Sequence, residues 1–152
     1  MKKVVYLSMA FLSFLLVLTG CGKKATTIDG KMEDLIAKLY DGIDENDLPM
    51  YLENITLTDE SLSNYIGTSD IKWKEAIASE SSVGSIAHSV VLIRMDDKAT
   101  SKDIEEAKNK IKESVDPAKW ICTEAEKVYV ESNNNLIVVI MTFEDIADPI
   151  KN

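Results

Sequence analysis

The chain has 152 residues, 45% of them hydrophobic, and 26 acidic against 17 basic side chains give it a net charge of −9. That length suits one domain with a core large enough to need no disulfide or metal staple. The acid excess excludes nucleic acid as a partner, because nucleic-acid binding requires a basic face.

The first segment has the three-part layout of a secretory signal. Lys2 and Lys3 make a positive start, residues 4–17 form an apolar run broken only by Tyr6, Ser8 and Ser13, and Leu18-Thr19-Gly20-Cys21 ends it. The apolar run is shorter than the ~20 residues a membrane-spanning helix needs. Leu18, Thr19, Gly20 and Cys21 resemble the lipobox of bacterial lipoproteins. The resemblance implies that the Cys21 thiol is joined to diacylglycerol, that the chain is cut between Gly20 and Cys21, and that the partner is membrane lipid. It places the mature chain outside the cell, on the outer face of the cytoplasmic membrane. Two or three acyl chains hold a protein stably, where one holds it only marginally.

Removal of residues 1–20 leaves 132, with 15 basic and 26 acidic side chains and a net charge of −11. An acidic domain of this kind is held by its lipid and not by attraction to anionic headgroups. With Cys21 committed to a thioether, Cys122 has no intramolecular partner. Its setting, Trp120-Ile121-Cys122, reads as a small buried hydrophobe.

Residues 21–27 are the lipidated cysteine and a short polar tether; residues 28–152 are the domain. A first helix is expected over 28–42, where Ile28, Met32, Leu35, Ile36, Leu39 and Tyr40 recur at helical spacing. Thr27 or Asp29 would cap it and Gly42 would end it in a left-handed conformation. Its stripe is core-facing by default, with a groove lined by Met32 and Tyr40 as the alternative. The acidic stretch Asp41 to Asp47 does not fit a calcium loop. Counted from Asp44, positions five, six and twelve are Leu48, Pro49 and Ile55; counted from Asp41, position three is Ile43. No metal ligand is assigned there or elsewhere.

Thr58-Asp59-Glu60-Ser61 opens a short helix that carries Leu62, Tyr65 and Ile66 and stops at Gly67. From Ile71 the period becomes two, and Ile71, Trp73 and Ile77 suggest a strand. A turn is expected over 80–85 and an inner strand over 86–95, because Val90 to Ile93 is apolar on both faces. His88, the single histidine, lacks the partners of a metal site or proton relay and reads as structural. Thr100 and Asp103 form a capping box for a helix whose narrow stripe is Ile104, Ala107, Ile111 and Val115. Strands over 126–131 and 136–143 follow, joined by a turn over 132–135, with a closing helix after Glu144.

The fold class is therefore α+β: a single compact domain, a mainly antiparallel sheet of about four strands and helices on one face. One further resemblance covers nearly the whole mature chain. It is carried by Leu48-Pro49, the 57–67 helix, Ile93-Arg94-Met95-Asp96-Asp97, the 103–115 helix, Tyr129-Val130 and Leu136 to Ile140. This series is similar to a family of small bacterial lipoproteins classed as a domain of unknown function. The resemblance implies a lipobox plus one α+β domain, with no catalytic residues to carry over.

The expected function is a membrane-anchored, extracytoplasmic, non-catalytic binding or interaction module of the cell envelope, whose partner is an envelope protein or a ligand. No catalytic residue and no cofactor is assigned, since no Gly-x-Ser-x-Gly elbow and no serine or cysteine beside a base can be read. The alternatives are an envelope enzyme working through surface carboxylates and a small solute-binding accessory of a transporter.

Overall fold

Two apolar runs set the centre of the molecule, because a strand buried on both faces has no use for an alternating pattern. The computed structural model describes residues 24–151. Its elements are α1 (Met32–Lys38), β1 (Leu52–Thr56), α2 (Leu62–Ile66), β2 (Trp73–Ser81), β3 (Ser89–Met95), α3 (Ser101–Ser114), β4 (Lys127–Asn133), β5 (Leu136–Thr142) and α4 (Glu144–Lys151). The five strands form one antiparallel sheet in the order β1-β2-β3-β5-β4. The two apolar runs, β3 and β5, lie side by side near its middle, with Val91 opposite Val139 and Val90 opposite Ile140.

Alternate residues of these strands feed two separate cores. Val91, Ile93, Ile137, Val139 and Met141 point to one face, where Leu62 and Ile66 of α2 and Ile104, Ala107 and Ile111 of α3 cover them. Val90, Leu92, Leu136 and Ile140 point to the other, against Met32 and Ile36 of α1 and Ile146, Ala147 and Ile150 of α4. The α+β class and the single domain are as expected; the sheet has five strands, and the helices cover both faces instead of one. A helix stripe states how much surface the helix buries, but not which side of the sheet receives it.

The extra strand is β1, whose Leu52-Glu53-Asn54-Ile55-Thr56 has two apolar residues in five and lies at an edge. Backbone pairing with β2, from Leu52 opposite Ser81 to Thr56 opposite Ile77, makes it a strand. Three local expectations also change. The first helix is shorter, ending at Lys38 and continuing as turns to Gly42, which does adopt the left-handed conformation at φ 86°. No side chain caps its start. Cys122 is exposed, not buried. Trp120 takes the place against the core, and the chain then reverses through left-handed backbone at Cys122, φ 59°, which leaves Ile121 and Cys122 outside.

The capping box at Thr100 forms as expected. The Asp103 N–H donates to Thr100 Oγ1 at 3.2 Å, and the Thr100 N–H donates to Asp103 Oδ2 at 2.9 Å. The Thr100 hydroxyl, which donates to Asp103 Oδ2 at 2.7 Å, then the Thr100 N–H and Lys72 at 2.9 Å, hold the Asp103 carboxyl well below the usual carboxylate range. Gly67 ends α2 at φ 76°, also as expected.

Candidate ligand-binding groove

The helices α1 and α4 lie on the same face of the sheet and leave a groove between them of about 420 Å³. Leu92, Leu136, Val138 and Ile140 form its floor, Ile28, Leu35 and Leu39 one wall, and Ile150 the other. Lys38, Lys151, Glu131, Ser132 and Asn133 complete its lining. The volume lies within the range of small-molecule sites, and an apolar lining with a few polar groups is their usual composition.

Buried polar residues hold the walls in place. Asn135, buried in the β4–β5 turn, accepts the Ile28 N–H on Oδ1 at 2.8 Å, and its own carbonyl accepts the Met95 N–H at 2.9 Å. Arg94, buried on β3, donates from Nη2 to the Gly30 carbonyl at 2.8 Å and pairs through Nη1 with Glu75. Residues 28–31, which carry Ile28 and lead into α1, are thus tied to the sheet at two points. On the opposite wall, Tyr129 Oη donates to Asp148 at 2.7 Å and Lys127 pairs with Glu144 at 2.9 Å, which fixes α4 along β4. The Lys151 ammonium lies 4.4 Å from the centre of the Tyr129 ring.

The residues that the sequence singled out are not brought together. Leu18, Thr19, Gly20 and Cys21 lie outside the described residues. Met32 is buried in the core rather than lining the groove. Tyr40 packs on His88, with Oη 3.0 Å from Nε2; His88 Nδ1 is 2.8 Å from Thr142 Oγ1. Burial lowers the histidine pKa to about 4 and raises that of the tyrosine to about 12, so both are neutral near pH 7. A fully buried histidine between two hydroxyls is a satisfied core group. In the acidic stretch, the Asp44 carboxylate accepts from the Asn46 backbone at 2.9 Å and side chain at 2.7 Å. Among the described residues, no three His, Cys, Asp or Glu side chains are placed to share a metal ion.

Two other constellations compare poorly with the groove. Lys119 donates to Glu80 at 3.0 Å, and Ser89 Oγ donates to the same carboxylate oxygen at 3.3 Å. That set has a nucleophile type and charges, but Ser89 is fully buried and no substrate can reach it. A smaller dip of about 190 Å³ beside α3 is lined by charges already matched, Lys110 with Asp70 at 2.6 Å and Lys72 with Asp103 at 2.9 Å.

Sequence reading found the wall helix but not the groove. Leu35 and Leu39 were legible as part of an apolar stripe; that Ile150 would stand opposite them was not, because more than a hundred residues intervene. No protein-family model, curated protein or solved structure matches the chain.

Proposed function

We propose that the chain is a lipid-anchored, non-enzymatic binding module on the outer face of the bacterial cytoplasmic membrane, with the α1–α4 groove as its ligand site. The observation that carries the reading is the pre-formed apolar groove in a chain whose leader ends in Leu18-Thr19-Gly20-Cys21. The anchor would keep the domain close to the bilayer. Only Gly22 and Lys23 separate Cys21 from Lys24, three steps with a reach of at most about 10 Å, and Lys24 is already bridged to Thr100.

The full chain, expressed in a bacterium fed labelled palmitate, is expected to carry label and to sediment with membranes; Cys21→Ala is expected to lose both. Native mass spectrometry of gently extracted protein is expected to find a small ligand retained by the wild type and lost from Val138→Trp. Unlabelled wild-type protein would overturn the anchor, and a ligand equally retained by Val138→Trp would overturn the groove.

A second reading is favoured by one surface. Met50, Tyr51 and Ile121 are 66%, 67% and 71% exposed. The segments that carry them are joined through residues 81–84: Ser81 Oγ donates to the Met50 carbonyl, the Ser82 N–H to the Tyr51 carbonyl and the Ile121 N–H to the Gly84 carbonyl. This patch lies at the opposite end of the sheet from Lys24, since β1 begins beside Ser81 while Lys24 joins the chain just past Met95. A protein of the envelope could meet it there without hindrance from the membrane.

A further inference from the structure

We infer that the α1–α4 groove takes a single aliphatic chain ending in a carboxylate, a fatty-acid-like amphiphile. The inference rests on the binding-module reading above and names the ligand class of the same site. Its first support is shape. Leu136, Val138 and Ile140 alternate along one face of β5 and make a straight apolar floor. Four residues of strand cover about 14 Å. An extended alkyl chain rises about 1.25 Å per carbon, from 1.5 Å bonds at tetrahedral angles, so about a dozen carbons fit that length. A floor of branched aliphatic side chains without an aromatic ring or a buried polar group offers a methylene chain dispersion and burial. The polar groups of the lining, Lys38, Lys151, Glu131, Ser132 and Asn133, stand apart from this floor, which itself offers only apolar contact.

The second support is charge. The chain as a whole carries −9, yet the ionisable residues lining this groove are Lys38, Lys151 and Glu131, an excess of one positive charge. Lys38 makes no ion pair among the described residues and stands in the last turn of α1. The other depressions near α4 are acid-lined, one by Asp44, Asp47 and Asp145, another by Glu126, Glu144 and Asp145. A cationic rim around an apolar trough in an acidic protein selects an anionic head group.

The third support is place. Ser132 lines both the groove and the depression in which Lys24 lies, so the groove adjoins the part of the domain to which the tether leads. With Cys21 anchored, that part of the domain would lie near the surface where single-chain lipids are found.

The test uses the full chain in its own membranes and a dodecanoate analogue with a photoreactive group near its methyl end. After irradiation, mass spectrometry is expected to locate the label on β5 and α1 residues of the groove, with Val138→Trp reducing it at least tenfold. The surface pair Lys38→Glu and Lys151→Glu, which leaves the core untouched, is expected to weaken labelling by about tenfold. Excess dodecanoate should compete and dodecyltrimethylammonium should not. Equal competition by the cationic amphiphile would overturn the assigned head group. Label spread over the surface, or unchanged in Val138→Trp, would overturn the chain site. If palmitate labelling and retention of some other ligand persist in that case, the binding-module reading stands without this ligand.

Discussion

His88 shows how a single residue can be important without being a site. It is fully buried, both ring nitrogens face hydroxyls, and burial lowers its pKa to about 4 from the ordinary 6.5. Because the folded value is the lower one, the unfolded chain takes up the proton first as pH falls. The stability tied to the neutral ring is fully present above about pH 6.5 and is lost progressively toward pH 4. The difference is worth at most about 3 kcal/mol. The urea midpoint should therefore drop between pH 7 and pH 4.5 for the wild type, and drop much less for His88→Gln. A wild-type drop no larger than that of the variant would refute the assignment. The carboxylates with lowered pKa values, Asp70, Asp97 and Asp103 among them, lose their stabilising charge only below about pH 4, outside that window. The histidine was legible as structural because a lone imidazole has no partners for chemistry. Cys122 was misread for a related reason. Apolar neighbours in sequence suggested burial, but a left-handed turn after Trp120 put the thiol outside.

At the scale of elements, the junction of α2 and α3 shows which local signals hold. Thr100 and Asp103 are three residues apart and bond each other, so their role needs nothing beyond the local chain. Thr100→Ala should cost about 1 kcal/mol. Gly67 was legible as a helix stop but not as a contact: a Cβ there would lie 1.9 Å from the Ser114 carbonyl oxygen at the end of α3. Gly67→Ala adds that overlap to a strained φ, and should cost about 2–3 kcal/mol. Chemical denaturation of the two variants should rank them in that order; equal losses would mean that the α2–α3 contact yields easily. The strand β1 marks the opposite limit. Its five residues contain no alternating pattern, and pairing with β2 is what makes it a strand.

For the whole molecule, the two cores share β3 and β5, so these strands carry burial on both faces and pairing on both edges. Opening either one breaks both cores. Hydrogen exchange should be slowest for amides of β3 and β5, approaching the global unfolding free energy, and faster in β1 and α1. Comparable protection in β1 would contradict this division.

What the sequence alone determined is what depends on near neighbours: the capping box, the glycine stop after α2, the two-faced inner strands and hence the α+β class. Tertiary structure alone decided that the helices divide between two faces, that Cys122 is outside, and that α1 and α4 stand apart over a bare stretch of β5. The physical reason is that an apolar stripe carries no address. It demands burial, but the partner that supplies it, or the space left where none does, depends on residues brought together only when the chain closes on itself. The groove is such a space, formed by Leu35 and Leu39 on one side and Ile150 on the other.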